Sequence, residues 1–82
     1  MRVLPLHPEV VAYLQAHQLV KKFEKQLGFF VKDRTHPSLH VELLEPHHLK
    51  IFSFRIDRKY RAIFIFTTSD TIEMLDVNNH YR

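Results

Sequence analysis

An α+β domain, with an N-terminal helical hairpin packed on a small twisted antiparallel sheet, is what these 82 residues predict. Three observations carry that expectation. Apolar residues at helical spacing fill the first 32 positions, apolar runs bounded by polar turns occupy residues 51–77, and a single glycine interrupts the chain. Helices first and strands afterwards argue against the alternating pattern of a parallel sheet. The length allows one domain, residues 1–82, with one hydrophobic core. With 45% apolar residues, the chain lacks the low hydrophobicity and high net charge that disorder requires.

Residues 2–6 read as an edge strand, because Pro5 cannot donate to a central ladder. Pro8 suits a first helical turn, where its missing N–H is harmless, and Glu9 suits the positive end of the same helix, which runs to about residue 16. The His17-Gln18 junction separates it from a second helix over residues 19–32. There Val20, Phe23, Leu27, Phe30 and Val31 form an apolar stripe, with Lys21, Lys22, Glu24, Lys25 and Gln26 falling mostly outside it. Gly28 weakens this helix without breaking its period. Residues 34–38 carry turn chemistry, and Pro37 keeps His36 out of helical conformation. An irregular connector, residues 39–50, holds Glu42, Glu45, Pro46 and the His47-His48 pair. Three strands follow, at residues 51–56, 60–66 and 71–77, joined by short polar turns as an antiparallel meander.

The charge is mildly basic: 12 Lys and Arg against 9 Asp and Glu, a formal +3. An anionic partner fits, although many small domains carry such a charge for solubility. Without cysteine there are neither disulfides nor thiolate metal sites. Residues 1–10 contain no apolar run of signal-peptide length, and no stretch approaches a membrane span, so the expected location is the cytoplasm, with no membrane partner.

Chemistry is expected in the hairpin. Strand alternation puts Phe52, Phe54 and Ile56 on one face, with Ser53 and Arg55 on the other, and Arg61 shares its side with Ile63 and Ile65. A guanidinium stays charged, and its desolvation costs several kcal/mol, roughly, unless it is paired or open to solvent. Arg55 and Arg61 are therefore expected to face a cleft, or else to be structural, paired with Glu42, Glu45, Asp57 or Glu73. Beyond the last strand, His80 offers proton exchange near neutral pH and Tyr81 a hydroxyl with a stacking face. They read either as a catalytic pair or as an ordinary frayed terminus. Together with phosphate-clamping arginines they point to phosphodiester chemistry. His36, His40, His47 and His48 make only a weak zinc signal, because Pro37 breaks the helix that such spacing needs. No metal or cofactor is assigned.

The segments HPSL (36–39), VELL (41–44), FSFRIDRKYRAIFIF (52–66) and TIEMLDV (71–77) resemble, in order and spacing, the RelE/ParE superfamily of type II toxin–antitoxin toxins. The aromatic-Ser-x-Arg-Ile strand, the following x-Arg-apolar strand and the closing His-Tyr are most similar to YoeB-like mRNA interferases. That resemblance implies a ribosome-dependent, metal-independent endoribonuclease that inhibits translation, is restrained by a cognate antitoxin and works on mRNA at the ribosome. It carries Glu42, Arg61, His80 and Tyr81 over as catalytic residues, with Glu45 as competitor for the base. Arg55 becomes a phosphate ligand. Phenylalanines stand where RelE-like members place lysines, which argues against a lysine-based mechanism. Lys21, Lys22, Lys25, Lys32 and Arg34 are either contacts to ribosomal RNA or a solvated helix face. The alternative reading is a ParE-like or degenerate binding protein that engages gyrase or an antitoxin without cleaving RNA. Oligomeric state stays open.

Overall fold

The computed structural model describes residues 1–79. In order, the elements are β1 (Arg2–Val3), α1 (Pro8–Ala16), α2 (Val20–Lys32), a 3₁₀ turn (Pro37–Leu39), β2 (Glu42–Leu43), a second 3₁₀ turn (His47–Leu49), β3 (Phe52–Arg55), β4 (Arg61–Thr68) and β5 (Thr71–Asn78). The five strands lie in the order β1-β5-β4-β3-β2. The meander β3-β4-β5 forms as expected, and β2 extends it antiparallel to β3. The sheet is nevertheless mixed, not wholly antiparallel, since β1 runs parallel to β5 with Arg2 opposite Thr71 and Val3 opposite Ile72. Parallel neighbours need a long crossover, and the helical hairpin with β2, β3 and β4 supplies one.

α1 starts on Pro8 and stops in a Schellman motif at the predicted junction. The N–H of Gln18 donates to the carbonyl of Gln15 at 3.2 Å, and that of Leu19 to Leu14 at 2.8 Å. Leu14 and Leu19 are both buried, which is the apolar contact that accompanies such a stop. Gln18 takes the left-handed conformation (φ 56°) that glycine usually fills there.

Helices and sheet share one core. Val10, Leu14, Leu19, Phe23 and Phe30 pack on Phe54, Ala62, Phe64, Ile72, Met74 and Val77. Phe30 stacks on Phe54 at 5.5 Å between ring centroids and meets Phe64 edge-on at 5.0 Å. Two details differ from the sequence expectation. Val20 and Val31 sit at the rim of the helical stripe, each 37% exposed, while Gln26 lies buried between Phe23 and Phe30 on the inward face. The position follows the helical period, and the polar side chain is tolerated because its Nε2 donates to the carbonyls of Arg55 (2.8 Å) and Ser38 (3.2 Å).

The β3–β4 turn is organised by Asp57, whose carboxylate accepts from the N–H groups of Lys59 and Tyr60, both at 2.8 Å, and from Lys22 Nζ at 3.1 Å. Burial pushes this carboxyl up, but the two N–H groups and Lys22 outweigh it and hold it below its ordinary value. The connector is more ordered than its composition indicates. It holds β2, a cis peptide between Glu45 and Pro46, and left-handed residues at His40 and Lys50.

Gln18→Gly is expected to stabilise the fold by about 1 kcal/mol, a Tm rise of about 5 °C in a thermal melt. Because the Asp57 pKa is lowered on folding, its contribution is complete above about pH 4 and disappears as pH falls through the lower native value. Urea denaturation of Asp57→Asn should therefore show a shallower loss of stability below about pH 4 than the unsubstituted chain.

Candidate functional site: a buried arginine on the open face of the sheet

Strand register gathers the polar residues. Glu42 pairs with Ser53, Ser53 with Ile63 and Ile63 with Asp76, while Arg55 pairs with Arg61 and Arg61 with Asn78. Directly opposed residues point to one side of a sheet, as do residues two apart along a strand. All seven therefore share a face. Phe54, Ala62, Phe64, Met74 and Val77 take the other, where both helices pack.

Arg61 is the centre of this face, and it does not stand in an open cleft. The residue is only 6% exposed. Its Nε donates to Ser53 Oγ at 2.9 Å, and its Nη2 donates to the main-chain carbonyl of His40. Glu42 Oε1 lies 4.0 Å from the same Nη2. No buried side-chain nitrogen or oxygen among the described residues lacks a partner. Burial and the neighbouring charge of Arg55 push the Arg61 pKa down, and Glu42 pushes it up; burial dominates. The result is a cation with fixed orientation and little solvent screening. Glu42 is the opposite case, with a side chain 51% exposed and open to water or a ligand.

Of the two candidate bases, Glu42 is the one brought to Arg61. Glu45 lies past the end of β2, at the cis peptide, and forms no ion pair with Arg61. Arg55 is half-buried and sits opposite Arg61, with its carbonyl held by Gln26. The other cations are not gathered here. Lys21, Lys25 and Lys32 are exposed on α2, across the sheet from Glu42, and Lys22 pairs with Asp57. Arg34 places its guanidinium carbon 5.2 Å from the centre of the Phe66 ring. His80 and Tyr81 lie outside the described residues.

Two supports escaped the sequence reading. Ser53, wholly buried, holds Nε; the signals for it were the strand parity of Arg55 in an otherwise apolar run and its place in the aromatic-Ser-x-Arg-Ile strand. The His40 contact is through the main chain of a left-handed residue (φ 45°), which side-chain identity cannot announce.

No family model and no curated protein matches the chain. Solved structures do. A YoeB/ParE toxin from Agrobacterium tumefaciens superposes with a TM-score of 0.73, covering 99% of this chain and 100% of its own at 16% identity. The fold is that of the YoeB/ParE toxins. A heterotetrameric YoeB–YefM toxin–antitoxin complex from Staphylococcus aureus gives a TM-score of 0.71, 18% identity and coverage of 99% and 98%. A YoeB dimer from the same organism gives 0.70, 21% identity and coverage of 98% and 94%. In this YoeB/ParE fold β5 ends at Asn78, in register with Arg61, so the chain leaves the sheet at the arginine end.

Ser53→Ala would leave the buried Nε–H of Arg61 without an acceptor. A loss of about 2 kcal/mol is expected in urea denaturation, with Ser53→Thr recovering part of it.

Proposed function

We propose that this chain is the toxin of a type II toxin–antitoxin system and that it acts as a metal-independent mRNA endoribonuclease on the ribosome. The observation that carries the reading is the pairing of a buried, doubly anchored Arg61 with a half-exposed Glu42 on the face the helices leave uncovered. The YoeB/ParE fold supports it.

Glu42 takes the proton from a ribose 2′-hydroxyl, and that oxygen attacks the adjacent phosphorus. The Nη1 side of Arg61, with Arg55 beside it, stabilises the charge that builds on the non-bridging oxygens. A donor already oriented and desolvated needs little reorganisation as that charge develops, and contributes roughly 3 to 4 kcal/mol to the transition state. His80 protonates the departing 5′-oxygen and Tyr81 positions the phosphate or stacks on a base. The products are a 2′,3′-cyclic phosphate and a 5′-hydroxyl. A cognate antitoxin restrains the activity, a reading supported by the fold's likeness to a toxin in a YoeB–YefM toxin–antitoxin complex. Lys21, Lys25 and Lys32 are then free to meet ribosomal RNA from the helix side.

On translating ribosomes the purified protein is expected to cut mRNA. Arg61→Ala should lower the cleavage rate by about 10² to 10³, and Glu42→Gln should lower it by at least about tenfold. Intact mRNA at all protein concentrations, together with gyrase-dependent DNA breaks, would replace this reading by the binding-only one.

A further inference from the structure

A second basic surface lies just beyond His40. Arg34, Thr35, His36, Pro37, His40 and Val41 line an open cleft of about 410 Å³. Its donors are oriented in advance. The guanidinium of Arg34 is held over Phe66 by the cation–π contact. The His36 ring stacks on Phe29, with centroids 4.0 Å apart and planes 7° from parallel. His36 Nδ1 accepts from the Ser38 N–H at 3.2 Å and meets Ser38 Oγ at 2.9 Å. A backbone N–H can only donate, so Nδ1 carries the lone pair and the ring proton sits on Nε2, which has no protein partner among the described residues. No carboxylate lines the cleft among the described residues. Of the two acids adjacent to it in sequence, Asp33 is turned to the N–H and hydroxyl of Thr35 at 3.0 and 2.6 Å, and Glu42 lies toward Arg61.

The cleft and the Arg61 face are joined through β2. His40 lines the one and lends its carbonyl to the other; Val41 lines the cleft, and Glu42 points to Arg61. β2 is a sheet edge only two residues long, so an extended ligand can pass over it from one face to the other. We propose that the cleft is a phosphate subsite for single-stranded RNA, holding a nucleotide that flanks the scissile phosphate. Arg34 and the Nε2–H of His36 take the phosphate, and Pro37 and Val41 take the apolar face of the sugar or base. The volume exceeds that of a phosphate alone and suits a nucleotide. This inference rests on RNA being the substrate.

The test is titration of ¹⁵N-labelled protein with a 2′-O-methyl tetranucleotide, which lacks the attacking hydroxyl. The expected result is chemical-shift change in residues 34–41 and affinity about tenfold weaker for Arg34→Gln and for His36→Phe, which keeps the stack on Phe29. The spectrum of each variant reports whether it is folded. Shift changes absent from residues 34–41, or binding unchanged in both folded variants, overturns the subsite. If the shifts map only to the Arg61 face, the subsite fails and the nuclease reading stands. If the cleft responds while mRNA on ribosomes stays intact, the nuclease reading fails and the cleft binds RNA with no scissile phosphate beside it, which overturns the subsite as proposed.

Discussion

A guanidinium almost excluded from water dominates the architecture of the uncovered sheet face. Arg61 sits in the end row of a three-strand meander, buried where a lone cation would cost more than the hydrophobic contacts around it return. It is accommodated because neighbours from two other segments supply acceptors in fixed places. Ser53 on β3 takes Nε, the His40 carbonyl before β2 takes Nη2, and Glu42 offers a distant compensating charge. The connector between α2 and β3 must therefore fold back along β3, and its left-handed turn at His40 is the means by which a carbonyl is aimed at the sheet. Orientation of Arg61 and order in the connector are one constraint.

The aromatic core makes that arrangement possible by taking the other face. Phe23, Phe30, Phe54 and Phe64 form a contiguous stack between helices and sheet, so neither helix is available to cover Glu42 and Arg61. Gln26 links the two systems. It is the one polar side chain on the inward stripe of α2, and its amide ties the carbonyl of Arg55 to that of Ser38. A change there would loosen the end of β3 and the turn before His40 together. The two sheet edges, β1 and β2, are each two residues long, which limits pairing with other chains and leaves the β2 edge low enough for an extended ligand to cross.

Much of this was legible in the residues. Proline at the start of α1, the helical periods, the polar turns and the alternation in β3 and β4 are local signals, and each produced the element expected from it. Alternation alone also placed Arg55, Arg61 and Ser53 on one face. Gln26 was misread because its type outweighed its position; the period of Phe23 and Phe30 points to it, but burial of an amide depends on carbonyls 12 and 29 residues away. Membership of β1 in the sheet was readable, but its direction was not, because pairing with β5 joins residues about 70 positions apart.

For the site, the sequence by itself determined the chemical inventory: an arginine-bearing hairpin, two carboxylates upstream and no thiols. Those are properties of residue type and strand parity, which act locally. Only the tertiary structure decided which of Glu42 and Glu45 lies beside Arg61, because that depends on the register of a two-residue strand against β3. It also decided that Arg61 is buried and Glu42 half-exposed, and that Lys21, Lys25 and Lys32 belong to the opposite side of the sheet. Burial and proximity arise from long-range packing, in which a side chain's environment is supplied by residues that its own segment does not contain.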